Sequence, residues 1–520
     1  MRIKQIFYRL WYLCYKRKYR DTLFLPSTKI SGLQFIDSIS RESVYFTEEG
    51  INFEFHNLSK TFPVNIDWNE LSFGKLWNYQ LNYFEFLHQK DCPVHLCNDL
   101  IRQHFNNRFR ITVGMEAYPL SLRCLNMIKY FVRNDIHEFD QYLYSQYNLL
   151  SRSFEYHLLG NHLLENAVSL YLGGIYFQQN KWRKKAGKEL KIEIAEQILD
   201  DGAHFELSPM YHQVILIRLI DLYVCLKDWP GRNVFDDELL NILNEQIPHM
   251  LGWLRAIEFG GYQVLPLNDS APWFYQEELG DVFELAHDCG IETSQSNLKS
   301  SGYRKYEGIN YQLLTDVGDI GPKYIPGHAH ADTFSYILNT FKEPIIVDTG
   351  ISSYSSGKTR DYERSTQAHN TVAINGLNSS DVYGAFRVGK RAHIVSVHEK
   401  NRSIKASHDG YKNIGCIHER EFIFSDHEII IIDKIIQTQS AKRPESISYI
   451  HFAPGLQIDL KSDGIVSDQF TMVFENAIQI NLTQYQYGHK MNKTILSNCV
   501  EVQFDSNLKT FIKILENNEN

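Results

Sequence analysis

Long apolar runs are absent from this 520-residue sequence, and basic residues are fewer than acidic ones, with 53 Lys and Arg against 62 Asp and Glu. No stretch approaches the roughly 20 consecutive apolar residues that a membrane-spanning helix requires, so no membrane span is expected. The formal net charge is −9, whereas a general nucleic-acid binder needs a basic face. We therefore expect no nucleic-acid partner.

Closely spaced cysteines are also rare. Of the eight cysteines, only Cys92 and Cys97 form a close pair, and no second pair accompanies them. A zinc knuckle usually takes two such pairs. The sequence therefore predicts reduced, mostly buried thiols rather than a cysteine-bound metal.

What the chain has in quantity is aromatic side chains, which make up 13% of its residues, with 31 Tyr and 31 Phe. Flat rings suit a cleft that binds sugars, which we favour, and they also suit a large hydrophobic core. A chain of 520 residues exceeds one ordinary core, so two or three domains are expected.

The first twenty residues carry seven cations and no acidic residue, and they lack an apolar stretch of signal-peptide length. Apolar residues recur there at helical spacing, so residues 1–25 are interpreted as a basic amphipathic segment. Such a helix either lies on a membrane surface or packs against its own domain. The residues that share its apolar face are Ile3, Ile6, Phe7, Leu10, Trp11 and Cys14.

The pattern from about residue 75 to 290 is helical, with apolar residues at three- and four-residue spacing. Helices joined by short links indicate stacked helical hairpins, and at this length a solenoid or toroid is favoured over a small bundle. We assign residues 26–302 to this domain. The predicted helices cover 118–134, 140–153, 161–178, 183–199, 209–227, 236–257 and 276–288.

After about residue 303 short β-branched and aromatic runs replace the helical pattern. The runs beginning at Glu421 and Glu428 are separated by Ser425-Asp-His, which predicts a hairpin. Similar runs recur to residue 515 with turn residues between them. Residues 303–520 are therefore predicted to form an antiparallel β-sandwich.

Chemically active side chains concentrate near the start of this second domain. Gly-His-Ala-His-Ala-Asp occupies residues 327–332, and Asp348 and His369 follow within the same short stretch. On a strand, side chains two residues apart share a face, so His328, His330 and Asp332 are expected to project together. The cluster indicates a metal site, proton transfer or both.

The helical half carries two polar clusters of its own. Asn161 and Glu165 are four residues apart at a predicted helix start and can share one polar patch. Ser208 followed by Pro209 predicts another helix start, which places Tyr211 and His212 in its first turn. The helix dipole favours a phenolate there, although a tyrosine in a first turn often only packs.

Five motifs, in this order, resemble those of the heparinase II/III-like polysaccharide lyases, which include related alginate lyases. The resemblance extends from about residue 75 to the C-terminal strands. It implies an incomplete α/α toroid followed by an antiparallel β-sandwich, with cleavage between the two. The motifs are Asn161-His162-x-x-Glu165, Glu206-x-Ser-Pro-x-Tyr211-His212, Gly-His328-x-His330-x-Asp332, Asp348-Thr-Gly and Arg364-Ser-Thr-x-x-His369-Asn-Thr.

The resemblance implies a polysaccharide lyase that cleaves a uronic-acid-containing chain by β-elimination. Asn161, with His162, would neutralise the uronate carboxylate, which stabilises the charge that develops on proton removal. Tyr211 and His328 would serve as acid and base, with His328 as the default base. Tyr354 would assist from the β domain.

Further residues are expected to bind the substrate. Guanidinium groups offer two-pronged donors to carboxylates and sulfates, although a structural ion pair is an equal alternative for each arginine. The predicted substrate-binding residues are Arg123, Glu165, His212, Arg360 and Arg364.

A metal is the remaining expectation from the resemblance. His330, Asp348 and His369 form the natural trio, and two imidazoles with one carboxylate suit Zn²⁺ with water as a fourth ligand. The zinc ion is expected to brace the site rather than to take part in the reaction. The alternative is that these histidines only form hydrogen bonds. Asp332 is expected either to orient a histidine or to cap a strand end.

Two rival functions remain open. A toroid can carry a glycoside hydrolase, here with Glu165 and Glu206 as its carboxylate pair. The chain can also be a non-catalytic glycan-binding protein. The family suggests the periplasm or cell envelope. Because no cleavable signal is seen, the cytoplasm with membrane association is the alternative. A role in surface-polysaccharide metabolism, such as that of O-antigen or capsule, is a further hypothesis.

Overall fold

The computed structural model describes residues 2–14, 18–23, 33–36, 42–90, 92–259, 264–271, 280–340, 343–438 and 444–515. The chain divides into two compact units. A helical unit comprises residues 1–198, 213–251 and 273–293. A sandwich unit comprises residues 199–212, 252–272 and 294–520.

The sequence predicted a single domain boundary near residue 302. In the structure, two segments from the helical stretch of the sequence belong to the sandwich unit. One of these segments, residues 199–212, contains Tyr211 and the first turn of a long helix. The acid predicted from the helical half therefore belongs to the same unit as His328.

Eleven α-helices lie within the described ranges. They are α1 (Ile3–Cys14), α2 (Gly74–Tyr83), α3 (Val94–Asn107), α4 (Ala117–Asn134), α5 (Asp140–Leu150), α6 (Gly160–Tyr176), α7 (Asn180–Gln197), α8 (Pro209–Lys227), α9 (Val234–Ala256), α10 (Gly280–Asp288) and α11 (Lys358–Glu363).

The same ranges contain twenty-one β-strands. They are β1 (Val44–Thr47), β2 (Gly50–Phe55), β3 (Leu58–Phe62), β4 (Tyr303–Glu307), β5 (Tyr311–Asp316), β6 (Tyr336–Thr340), β7 (Pro344–Ile346), β8 (Val372–Ile374), β9 (Val382–Tyr383), β10 (Arg387–Val388), β11 (Ile394–Lys400), β12 (Ser403–His408), β13 (Cys416–Phe424), β14 (Glu428–Gln437), β15 (Ser446–His451), β16 (Asp459–Leu460), β17 (Gly464–Val466), β18 (Phe470–Glu475), β19 (Gln479–Lys490), β20 (Lys493–Phe504) and β21 (Asn507–Ile514).

The predicted helices correspond to α4 through α10, and most of their ends agree within three residues. The expected beginning of the last helix, at residues 276–279, lies outside the described residues. The small antiparallel sheet β1-β2-β3 was not predicted. Its strands have only four to six residues, too few for a clear alternating pattern.

The helical unit is built around α6, which packs against α4, α5 and α7. A side-chain carbon at Gly173 of α6 would collide with the ring of Tyr147 on α5, so this glycine permits the close approach of the two helices. Among the described residues, one helix, α8, is long and apolar enough to cross a membrane, but 89% of its most apolar segment is buried in the protein. It has the burial of a core helix.

The sandwich unit contains antiparallel sheets that share a large hydrophobic core. The sheets have strand orders β11-β12-β13-β14-β21-β18-β17-β16, β19-β20-β15-β8 and β4-β5-β6-β7, together with the small hairpin β9-β10. Side chains from all three larger sheets meet in one buried cluster, which includes Leu338, Phe422, Ile431, Val500 and Ile512. The predicted antiparallel arrangement is confirmed.

The hairpin formed by β13 and β14 shows how the sequence directs this part of the fold. Residues of β13 alternate strictly between buried and partly exposed positions. Phe424 pairs with Ile429 next to the Ser425-Asp-His turn, as the sequence predicted. One face of the hairpin therefore enters the core while the other remains accessible.

Cysteine pairing departs from expectation at one place. Cys92 and Cys97 are joined by a disulfide, with their α-carbons 6.6 Å apart, so the prediction of reduced thiols is wrong for this pair. Cys97 begins the second turn of α3 and Cys92 lies just before the helix, which brings the two together. The other six cysteines are free, and four of them are buried.

A buried ionic group lies within the large sheet. Asp433 on β14 accepts hydrogen bonds from Arg420 Nε at 2.7 Å and from His418 Nε2 at 2.7 Å. Burial opposes ionisation of Asp433, yet the charge of Arg420 and the hydrogen bond from His418 lower its pKa to about 2. The carboxylate therefore stabilises the fold in its ionised form.

This pKa shift predicts a pH-dependent contribution to stability. Because the folded pKa lies below the ordinary value, the contribution is present above about pH 4 and is lost as the pH falls toward about 2. It is on the order of 2 kcal/mol. In urea unfolding, the difference between wild type and Asp433→Asn should shrink as the pH is lowered through this range. Asp459→Asn, at an exposed position of the same sheet, should show no such trend.

Candidate active site

The helix start at Ser208 forms as the sequence predicted. Pro209 opens α8, and the Ser208 hydroxyl accepts the backbone N–H of Tyr211 at 3.3 Å, as a helix cap does. The preceding residue, Leu207, has a φ of 57°, in the left-handed region that leucine rarely adopts. This sharp change of direction places Tyr211 in the first turn of the helix.

A second segment of the sandwich unit holds this helix start in place. Ser208 Oγ donates to the backbone oxygen of Asp269 at 2.8 Å. The side chain of Asn268 donates to the backbone oxygen of Leu207 at 3.1 Å and accepts the N–H of His330 at 3.0 Å. One asparagine therefore joins the Tyr211 segment to the histidine loop.

Asp269 is the centre of the polar cluster. Its carboxylate is fully buried and accepts from His328 Nδ1 and His330 Nε2, each at 2.9 Å. Arg360 donates to both of its oxygens, at 2.6 and 2.7 Å. Burial opposes the charge, but Arg360 and the two histidines hold the pKa of Asp269 well below its ordinary value. Asp269 is therefore a carboxylate at neutral pH.

This contact determines which nitrogen of His328 can accept a proton. Because Nδ1 donates to an ionised carboxylate, the neutral ring carries its lone pair on Nε2. The His328 side chain keeps 15% of its surface exposed, and its Nε2 lies 3.9 Å from a carboxylate oxygen of Glu206. The arrangement suits a general base.

Two phenols adjoin His328. The rings of Tyr211 and His328 have centroids 3.9 Å apart, and the hydroxyl oxygens of Tyr211 and Tyr354 are 3.3 Å apart. Burial raises the pKa of Tyr354 well above its ordinary value, so this phenol keeps its proton. The sequence-predicted residues Tyr211, His328 and Tyr354 thus lie together in the sandwich unit.

Phe386 is an aromatic neighbour that the sequence reasoning missed. It lies in the hairpin β9-β10, with its ring 5.7 Å from that of His328 and 5.3 Å from that of Tyr354, and it is 44% exposed. An exposed ring beside candidate acid and base groups can stack on a sugar. Its position in a short hairpin without a motif left no sequence signal.

Arg360 and Arg364 hold this hairpin through hydrogen bonds to its backbone. Arg360 Nε donates to the backbone oxygen of Ala385 at 3.1 Å. Arg364 donates to the backbone oxygens of Gly384 at 3.1 Å and of Ala329 at 2.9 Å. Both guanidinium groups are fully buried. These contacts favour a positioning role over the predicted contact with substrate.

The histidine loop is not a strand, so the prediction that His328, His330 and Asp332 share a strand face is wrong. Residues 327–332 form a turn followed by irregular backbone. His328 and His330 converge because both bond to Asp269. Asp332 is buried, and burial raises its pKa to about 6, with the charge of His369 acting in the opposite direction.

The predicted metal trio contains one tight pair. His369 Nδ1 and Asp348 Oδ2 are 2.7 Å apart, and although burial opposes it, Asp348 raises the pKa of His369. The His330 and His369 rings have centroids 5.3 Å apart. Burial lowers the pKa of His330 to about 4, so this ring is neutral.

The fit of these residues to a metal is partial. Among the described residues, His330 Nδ1 and His369 Nε2 are buried without a hydrogen-bond partner, as two nitrogen ligands would be. Asp348, however, already accepts from His369 and from the N–H of Gly350 at 3.1 Å. Within the described ranges, no three His, Cys, Asp or Glu side chains form a ready ligand group.

The helical unit contains the third polar cluster. Asn161 is buried in the first turn of α6, and Leu159 before it has a φ of 67°. His162 Nδ1 lies 3.0 Å from Glu155, and its ring is 4.5 Å from that of Tyr118. The predicted helix start at Asn161 is present.

Three other predicted substrate-binding residues have buried protein contacts. Glu165 is fully buried in an ion pair with Arg218 at 2.9 Å. Arg123 is also fully buried and donates to Gln146 at 2.6 Å. His212 accepts the N–H of His204 at 3.1 Å. These contacts favour a structural role for all three, and their contact with substrate stays a prediction.

Comparison with known proteins identifies the family. Residues 108–280 match the family description "Heparinase II/III N-terminus", and residues 291–502 match "Heparinase II/III-like, C-terminal". The two matches together span well over half of the chain. The chain belongs to the heparinase II/III-like family, as the five motifs predicted.

Curated relatives and solved structures agree with this assignment. A heparin-sulfate lyase of Bacteroides stercoris is 25% identical over 313 residues, which are 55% of this chain and 45% of the relative. Another, from Pedobacter heparinus, is 24% identical over 247 residues, 42% of this chain and 36% of the relative. These alignments thus span less than half of the relatives' own length.

The structural neighbours show the fold. Heparinase III matches with a TM-score of 0.66 and 14% identity, over 88% of this chain and 80% of that one. A mutant of the heparan sulfate lyase HepC from Pedobacter heparinus matches with a TM-score of 0.62 and 15% identity, over 90% and 82%. The predicted toroid followed by an antiparallel β-sandwich is confirmed.

The geometry around Asp269 predicts a large effect of its neutralisation. Asp269→Asn leaves the buried Arg360 without a counter-charge, which should cost roughly 3–5 kcal/mol of folding free energy. Urea unfolding at neutral pH measures this loss. Asp381→Asn, in the same unit, provides the control and should change the free energy of unfolding by less than about 0.5 kcal/mol. Equal stability of Asp269→Asn and wild type would contradict the central role of Asp269.

Proposed function

We propose that this protein is a polysaccharide lyase that cleaves a uronic-acid-containing polysaccharide by β-elimination. The observation that carries the proposal is the orientation of His328 by a buried carboxylate, with the phenols of Tyr211 and Tyr354 beside it. This arrangement supplies one oriented proton acceptor and two proton donors. Membership of the heparinase II/III-like family supports the same reaction class.

In the proposed reaction, His328 Nε2 removes the proton from the sugar carbon next to the carboxylate. The electron pair of that C–H bond forms the new C=C bond, and the adjacent glycosidic C–O bond breaks. The imidazolium formed on His328 is stabilised by the ionised Asp269. The positive charge that the ring gains is thereby stabilised through the Nδ1 contact with Asp269.

Tyr211 is proposed to protonate the departing glycosidic oxygen. The Tyr354 hydroxyl, 3.3 Å from that of Tyr211, is placed to return a proton to it. The rings of Tyr354 and His328 lie beside Phe386, which would give the sugar an apolar surface. Exchange of the acid and base roles between Tyr211 and His328 depends on the stereochemistry of the uronate.

Neutralisation of the substrate carboxylate is assigned to Asn161 with His162, following the resemblance. An amide can donate to a carboxylate that gains charge in the transition state, which lowers the energy of that state more than that of the bound substrate. This role stays a prediction for both residues.

The substrate class follows from the same chemistry. β-Elimination needs an acidic proton next to a carboxylate, and uronic acids provide it. The heparin-sulfate lyases to which the chain is similar support an acidic, glycosaminoglycan-like polymer. A place in O-antigen or capsule metabolism remains a prediction from the sequence.

The glycoside hydrolase alternative has weaker support. Hydrolysis would need Glu165 and Glu206 as an acid and base that reach the sugar. Glu165 is fully buried in its ion pair with Arg218, and Glu206 is only 2% exposed. A carboxylate engaged in a buried ion pair is poorly suited to exchange protons with substrate.

The lyase proposal predicts a specific product. Purified protein incubated with glucuronate- and iduronate-containing polymers should release chains with a conjugated, ultraviolet-absorbing end group. Tyr211→Phe and His328→Ala should each lower the rate by about 10²–10⁴-fold, because each removes a proton-transfer group. Asn161→Ala should lower it as well. Circular dichroism and thermal melting verify that the variants fold.

Matched controls and alternative outcomes make this test decisive. Tyr45→Phe and His393→Ala, both at exposed positions, should retain wild-type activity. New reducing ends without ultraviolet absorbance would indicate a hydrolase. Retained glycan affinity in the Tyr211→Phe, His328→Ala double variant, with no products from wild type, would indicate a binding protein.

We also propose that zinc braces the loop that carries His330. His330 Nδ1 and His369 Nε2 would bind the ion, and Asp348 would orient His369, as carboxylates behind metal-ligating histidines do. Water or other groups would complete a four-ligand site. No proton transfer is assigned to the metal.

The metal proposal predicts about one zinc ion per chain by elemental analysis of protein purified without chelator. His330→Ala and His369→Ala should lose the ion and melt at lower temperature. His398→Ala, on the accessible strand β11, is the control and should keep the metal. Metal-free wild type that melts at the same temperature with and without added zinc would refute the proposal.

A further inference from the structure

Helix α1 packs against the helical unit through an unusual face. Gln5 is 3% exposed and donates to the backbone oxygen of Leu158 at 3.3 Å. The Tyr12 hydroxyl donates to the backbone oxygen of Phe154 at 2.6 Å, and Tyr8 stacks on Tyr156 at 4.6 Å. The buried side of this helix is therefore its polar and tyrosine-bearing side.

The opposite side of α1 is apolar and exposed. Six large hydrophobic side chains on this one helix keep between 45% and 86% of their surface accessible. At 3.6 residues per turn they form a continuous stripe along the helix. The members of this stripe are Ile3, Ile6, Phe7, Leu10, Trp11 and Leu13.

This orientation is the reverse of that of an ordinary surface helix, which buries its apolar stripe and exposes its polar face. Single exposed apolar residues are common on proteins, but a contiguous apolar patch marks an interaction site. Ion pairs fix the orientation, since Arg2 bonds to Glu196 at 2.9 Å and Lys4 lies 3.7 Å from Glu189. The sequence left open whether the helix packs on its domain or faces a membrane, and one face of α1 does pack.

Charge identifies the kind of surface that complements the stripe. Lys4 lies along one flank of the stripe and Arg9 along the other, as helical spacing requires. Lys18 and Arg20 are exposed shortly after the helix. The first twenty residues hold seven cations and no acidic group, although the whole chain carries a net charge of −9. A basic border around an apolar stripe fits an anionic lipid surface.

We propose that α1 docks this protein on an anionic phospholipid membrane. The apolar stripe enters the boundary between head groups and acyl chains, and Arg9, Lys18 and Arg20 contact the lipid phosphates. A second copy of the chain is a poorer occupant, because two such stripes facing each other would bring their basic borders together. The helix lies on the membrane and does not span it, since its polar face is used for packing.

Vesicle flotation tests the proposal with the full chain. Wild type should float with vesicles of phosphatidylcholine and phosphatidylglycerol, and more weakly with phosphatidylcholine alone. Phe7→Glu combined with Leu10→Glu should lower the bound fraction at least about tenfold, because both side chains would enter the apolar layer. The stripe is exposed, so this variant should melt at the wild-type temperature.

A charge variant separates the two contributions. Arg9→Glu combined with Lys18→Glu and Arg20→Glu should abolish the preference for anionic vesicles, and added salt should weaken wild-type binding in the same way. The matched control for the Phe7→Glu, Leu10→Glu variant is Val234→Glu with Ile478→Glu. It introduces two acidic groups at exposed apolar positions outside α1 and should float like wild type.

Several outcomes would overturn the proposal. The proposal is wrong if wild type stays in the dense fraction with anionic vesicles. It is also wrong if wild type and the Phe7→Glu, Leu10→Glu variant float equally. A dimer that this variant dissociates, without any vesicle binding, would assign the stripe to a second copy. Because the assay needs no turnover, its result is independent of the lyase proposal.

Discussion

A single buried carboxylate organises the candidate active site. Asp269 joins two histidines of one loop to Arg360, and Arg360 in turn holds the backbone of the hairpin that carries Phe386. Isolated, such a charge would be very costly to bury, and its four hydrogen bonds offset that cost. Base orientation, loop shape and the position of an exposed aromatic ring therefore depend on one ionised group.

The assignment of residues 199–212 to the sandwich unit has a mechanistic meaning. Tyr211, His328 and Tyr354 belong to one compact unit, although the first lies more than a hundred residues from the others in the chain. Their mutual distances are determined within that unit. Proton transfer requires acid and base groups to be positioned to within about 0.5 Å, so a shared scaffold for them is an advantage.

The sequence predicted those features that follow from periodic patterns and short motifs. Helix periodicity and the turn at Ser425 gave correct elements, and the Ser208-Pro209 cap placed Tyr211 in a first turn. Asp269 was missed because its importance comes from contacts with residues about 60 and 90 positions away, which no local pattern encodes. The histidine loop was misread as a strand because alternation of histidines and small residues mimics strand periodicity.

Leu159 in the helical unit and Leu207 in the sandwich unit share a backbone property. Each is a leucine with a positive φ just before a helix that carries a candidate functional residue, and each side chain is buried. The backbone geometry costs roughly 1–3 kcal/mol, which the burial of an apolar side chain offsets. Fraying of either helix end would release that strain. Local unfolding should therefore be easier in the first turns at Asn161 and Tyr211 than in the middle of the same helices.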